Sequence, residues 1–155
     1  MGVRVLRIAK AILIGMLVDL FCSLIYSIML GVVLAIWLSY TGVDNYDLPT
    51  AISQAALTAP WLFIAVLGGA TISLGAGFVA ANIIQYNYGN YLGIMGTALA
   101  LVSLNGTVDY LSLNTSIFFA LLTLVSVVGG GWLYGWTVGL TSASNSEDSS
   151  DTKED

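Results

Sequence analysis

Of the 155 residues, 57% are hydrophobic and 8% charged, and the mean hydropathy is +0.89; an ordinary soluble domain carries about 25% charged residues, so this chain has too few to cover a soluble surface. It has no His and a single Cys, which excludes His-based metal centres, Ser-His-Asp and Cys-His catalysis and an intrachain disulfide. Four basic residues against nine acidic ones give a net charge of -5 and no basic patch for a phosphate backbone, so the composition points away from nucleic acid and towards the lipid bilayer as partner.

Arg4, Arg7 and Lys10, spaced by three, lie on one helix face ahead of the first apolar run, where anionic lipid headgroups would meet them. That run, 11–38, is far longer than the apolar part of a secretory signal, about 7–15 residues, and reads as a retained span. Position 6 is Leu6 rather than the Ser or Thr of a myristoylation signal, and Cys22 reads as a small packing residue. In the loop 41–59, Asp47 precedes Pro49 and is placed to cap a short interfacial helix from Leu48 to about Leu57.

A second run, 60–84, leads through the tight turn from Tyr86 to Tyr91 into a third, 92–108, which carries the weakest signal because it holds Gly93, Gly96 and Asn105 and stops at Asp109. A fourth, 116–140, follows the brief loop 109–115, with Asn114 read as its cap in preference to a glycosylation site. About 20 apolar residues at 1.5 Å each cross a hydrocarbon core of about 30 Å. The expected fold is an all-α integral membrane bundle of four transmembrane helices, with a basic segment 1–10 before it and a disordered acidic tail, 141–155, after it.

With four spans both ends share a side, so the whole basic set, Arg4, Arg7, Lys10 and Lys153, falls together and both termini are expected in the cytoplasm. The aromatic residues fit the same map, with Trp37, Tyr40, Trp61 and Tyr110 at the outer interface and Tyr86, Tyr88, Tyr91, Trp132, Tyr134 and Trp136 at the inner one. Short loops make sequential helices antiparallel neighbours.

Most of the 17 glycines lie within the four runs, where only close helix contacts repay them. A small or polar residue recurs every fourth position: Gly15, Asp19, Ser23, Ser27 and Gly31 in the first run, Gly69, Ser73, Gly77 and Ala81 in the second, and Gly131, Gly135 and Gly139 in the fourth. Such stripes suit packing within one chain or against a second copy or another membrane subunit. Asn82, Gln85 and Asn105 are candidates for interhelical hydrogen bonds.

Asp19 is the one Asp, Glu, Lys or Arg inside an apolar run, and a membrane carboxylate is by default a functional hypothesis. With Ser23 and Tyr26 it forms a candidate proton or cation site; the other reading is a hydrogen-bonded packing residue. Counted from Lys10 it lies near the midplane, and counted back from Trp37 and Tyr40 it lies near the inner interface. No acid-base pair, metal cluster or cofactor motif converges with it.

The segment from Gly75 to Ala81 echoes that from Gly129 to Gly135, as a duplicated hairpin or as convergent Gly-rich packing would produce. Together with Gly15 to Asp19 and Gly93 to Gly96, these segments resemble a broad group of small four-helix bacterial inner-membrane proteins without an assigned activity. Basic residues usually end the second helix in that group, where this chain has Asn82 and Gln85. The resemblance implies a multi-pass protein of the bacterial cytoplasmic membrane. Small multidrug transporters are similar in architecture alone, since they carry a Glu in the first helix and a Trp in the third that this chain lacks. The leading expectation is a non-catalytic interaction or accessory subunit, and the alternative is a small proton- or cation-coupled transporter using Asp19.

Overall fold

The computed structural model describes residues 2–44, 47–85, 88–107 and 111–148, with side chains for 5–44, 47–85, 88–105 and 111–139. Among the described residues the chain is all-helical: α1 (Gly2–Tyr40), α2 (Leu48–Ala56), α3 (Ala59–Ile84), α4 (Tyr88–Thr107) and α5 (Leu113–Asp148). Three helical stretches, Val5–Tyr40, Ala59–Ile84 and Leu113–Gly139, are long and apolar enough to cross a membrane. The 20 residues of α4 are more polar, with Asn90 and Asn105 near its ends.

Local chemistry sets the helix ends. Gly42, at φ 87, closes α1: its N–H donates to Ser39 O and that of Val43 to Leu38 O, both at 3.2 Å, the paired bonds that a left-handed residue after a helix makes possible. Asp47 stands at the N-cap of α2 but makes no side-chain cap bond. Its αR backbone (φ -92, ψ -7) departs from the extended geometry a cap needs, and Pro49 supplies no N–H at the second helical position. Ser112, rather than Asn114, caps α5, its Oγ accepting from Thr115 N at 3.4 Å; Asn114 lies inside the first turn. α5 also continues to Asp148, past the expected boundary at 140, since residues 141–148 contain neither Gly nor Pro to stop it.

α5 is the hub of the bundle, packed along both α3 and α4, while α1 packs mainly on α3. Register gives the directions. On α3 and α5, Gly77 meets Val127 and Phe78 meets Tyr134, so these two helices are parallel. On α4 and α5, Gly96 meets Leu124 and Tyr88 meets Gly135, so they are antiparallel. On α1 and α3, Gly15 meets Ala80 and Tyr26 meets Gly68, again antiparallel. The four long helices therefore alternate in direction.

Consecutive long helices are antiparallel and in contact, but unequally: α4 lies along α5 and α1 along α3, whereas α3 and α4 meet only lightly despite the short turn between them. The pair Gly130–Gly131 on α5 accounts for this. A Cβ at Gly130 would fall on Leu74 O of α3, 2.8 Å from Phe78 N, and one at Gly131 would fall on Leu92 of α4. Adjacent faces of one helix thus admit two partners at close range, and α3 and α4 each dock on α5 rather than on each other.

The core, Ala76, Ala80, Ala81, Leu92, Met95, Leu99 and Val127, lies in the half of the bundle where α3 ends and α4 begins, here called the basal half. An aromatic set closes that end, with Tyr134 edge-on to Phe78 at 5.6 Å and to Tyr88 at 5.8 Å. At the opposite, distal end Trp37 and Trp61 meet at 5.8 Å beside α2. Tyr86 and Tyr110 lie outside the described residues.

Candidate functional site

The first helix brings its small residues into the basal cleft between α3 and α4. Ala11 and Gly15 are buried there, and a Cβ at Gly15 would stand 2.7 Å from Met95 Cε and 3.0 Å from Ala80 Cβ. One turn further along α1, Asp19 is 6% exposed and accepts a hydrogen bond from Ser73 Oγ at 2.7 Å. Ser73, itself 4% exposed, lies on the stripe Gly69, Ser73, Gly77, and its hydroxyl serves the neighbouring helix. It stands about three turns from the basal end of α3 and four from the distal end, so the pair sits near mid-length of that helix. Arg7 and Lys10, the basic residues whose side chains are described, are both exposed.

The other two members of the candidate site do not join Asp19 around one point. Ser23 is half-buried one turn along. Tyr26, a further turn on, lays its ring across Gly68 and donates its hydroxyl to Ile64 O at 2.7 Å. Gly68 gives the ring room to reach that carbonyl. The three-residue site expected from the sequence is thus two separate polar contacts between α1 and α3, and of these the Asp19–Ser73 contact alone is buried.

The packing glycines divide in the same way. Gly15, Gly77, Gly131 and Gly135 lie against side chains or backbone of other helices, and Ala81 is in the core. Gly31, Gly69 and Gly139 have open space where a Cβ would stand, and Ser27 is exposed. Gly68, Gly96 and Gly130 make close contacts that the fourth-residue stripes do not include. The triple glycine is the available signal for Gly130, which lies one residue off the Gly131–Gly135 stripe and so faces a different helix.

Asn82, Gln85 and Asn105 are exposed instead of lying between helices. Gln85 instead ends α3 in the left-handed conformation, at φ 62, its N–H donating to Ala81 O at 2.8 Å. The side chain of Arg4 lies outside the described residues. Among the described residues no group of three or more His, Cys, Asp or Glu is placed to hold a metal ion. Chemically, the Asp19–Ser73 pair can hold a proton, accept a hydrogen bond or take a cation. Family models, curated proteins and solved structures were each compared with the chain, and none matches.

Proposed function

We propose that the chain is a four-span protein of the bacterial cytoplasmic membrane, both termini cytoplasmic, that acts as a non-catalytic interaction or accessory subunit. The observation that carries this reading is the exposure of α1. Only 6% of its most apolar window is buried, against 33% in α5. Beyond Ser23 its small-residue stripe is open: Ser27 is exposed and Gly31 has no neighbour within 4 Å of a Cβ position. A second copy or another subunit's helix would approach closely there. Four spans are supported by α4, which at about 30 Å matches the hydrocarbon core and runs antiparallel along an apolar α5.

In a Cys22→Ala background, Gly31→Cys should cross-link in native membranes to a defined partner or to itself, and Gly31→Leu should dissolve that complex; an unchanged complex size in Gly31→Leu would overturn the reading. The buried Asp19–Ser73 contact favours a second reading, a proton- or cation-coupled transporter. It requires Asp19→Asn to abolish coupled flux in proteoliposomes, and wild-type flux in that variant would remove it.

A further inference from the structure

α1 and α5 stand diagonally opposite in the bundle. Each touches both α3 and α4, and among the described residues the two make no contact with each other, so their outward faces point away from one another. Leu17, two residues from both Gly15 and Asp19, lies about 200° around α1 from the buried side, and Lys10, Leu24 and Gly31 share its face at seven-residue spacing. Leu17 and Leu24 are exposed. On α5, Gly129 has no neighbour within 4 Å of a Cβ position, and position 147, five full turns later, falls on the same face. Register puts the two faces at one level. Asp19 meets Ser73 and Gly15 meets Ala80, so Leu17 is level with Ala76 and Gly77 of α3; Gly77 meets Val127 and Gly130 meets Leu74 and Phe78, so Gly129 shares that level. From there both helices run on towards the basal end, α1 back to Gly2 and α5 on to Asp148, about 22 and 28 Å.

We infer that the outward face of α1 is covered by α5 of a second copy of this chain, so that copies associate head to tail with Leu17 of one against Gly129 of the next. The inference rests on the interaction-subunit reading and names its partner. Charge complementarity selects the pairing. Arg4, Arg7 and Lys10 occupy the first turns of α1, and Glu147 and Asp148 the last turn of α5, at the same end of the bundle. Among copies inserted the same way round, α1 against α1 would set basic residues beside basic at equal height, and α5 against α5 would set acid beside acid. α1 against α5 brings opposite charges together and places the positive N-terminal end of one helix beside the negative C-terminal end of the other. Within one chain the diagonal placement keeps these ends apart, and a neighbouring copy supplies the complement. At the meeting point Gly129 lets Leu17 approach the α5 backbone closely. Because the two faces point in opposite directions, one neighbour cannot occupy both, and association continues past a pair.

The test uses the full-length protein in native membranes. In a Cys22→Ala background, a Leu17→Cys copy and a differently tagged Gly129→Cys copy are co-expressed and treated with a short bismaleimide. The mixed product should exceed either like-with-like product at least tenfold, and a chain carrying both cysteines should give a ladder that extends past the dimer. Glu147→Lys combined with Asp148→Lys, which adds basic residues only at the end where the others already lie, should lower the mixed product about fivefold. Like-with-like products equal to the mixed one, a ladder that stops at the dimer, or an unchanged yield in the charge-reversed variant would each overturn the inference. Capture of a different membrane protein at Gly31→Cys with no mixed product would overturn it and leave the interaction reading standing, whereas the absence of any complex at either position would remove both.

Discussion

The hydroxyls of Ser73 and Tyr26 each reach from one helix to another, and burial makes them unequal. Ser73 donates to Asp19 at a buried site, while Tyr26 donates to Ile64 O on the surface of the bundle. Interhelical hydrogen bonds in membranes contribute about 0.6 kcal/mol on average and up to about 1.7 kcal/mol. Ser73→Ala leaves a buried carboxyl without its donor, so it should destabilise the fold by about 1–2 kcal/mol, at the upper end of that range. Tyr26→Phe keeps the ring over Gly68 and should lose about 0.5 kcal/mol. Unfolding titrations in mixed dodecyl sulfate and maltoside micelles measure both, and a larger loss in Tyr26→Phe would reverse the assignment. Asp19 is legible in the sequence because a lone charge in apolar surroundings needs no alignment to be noticed. Its partner is not: the sequence marks Ser73 only as a packing residue, since periodicity fixes the face of a helix but not its register against another.

At the scale of elements, α5 holds the molecule together through glycines that face two ways. Gly130 lies on the backbone of Leu74 and Phe78, and Gly131 and Gly135 lie under Leu92 and the Tyr88 ring, whereas Gly129, in the same run, meets nothing within 4 Å. Backbone atoms cannot yield as a flexible side chain does, so Gly130→Leu should separate α3 from α5 and cost more than about 3 kcal/mol, beyond the usual range for overpacking. Gly129→Leu should change stability by no more than about 0.5 kcal/mol. Thermal unfolding in maltoside of the two variants, which differ by one position and by no chemistry, checks the assignment, and equal losses would refute it. The helices themselves are readable from apolar length, and the short α2 from Pro49 and its flanks. Their adjacency is not, because a short loop between α3 and α4 limits how far apart they begin and says nothing of what each prefers to touch. The caps depart from expectation where backbone conformation decides, at Asp47 and Asn114, and Gln85 reads as a bridging residue because its αL geometry leaves no mark in the sequence.

For the whole molecule, direction follows from register, and charge then gives orientation. α3 runs parallel to α5 and antiparallel to α1, while α4 runs antiparallel to α5, so the start of α1, the turn after α3 and the end of α5 lie at one end of the bundle. Arg7 and Lys10 are exposed near that end, and the distal loop offers Asp44 and Asp47, both exposed. Basic residues are retained on the cytoplasmic side, so the basal end should face the cytoplasm. The 39 residues of α1 span about 58 Å, nearly twice the hydrocarbon thickness, so its basic first turns should project from the bilayer on that side. In a Cys22→Ala background, Gln85→Cys and Ser144→Cys should react with a membrane-impermeant maleimide only after the cells are opened, and Asp44→Cys should react in intact spheroplasts. Labelling of Gln85→Cys from the same side as Asp44→Cys would mean that α3 does not cross, and with it the alternation of the four helices would fail as a membrane topology. Labelling of Ser144→Cys from the outside with Gln85→Cys still inside would instead remove α4 from the membrane, the one long helix whose own composition leaves its crossing undecided and whose place rests on its packing against α5.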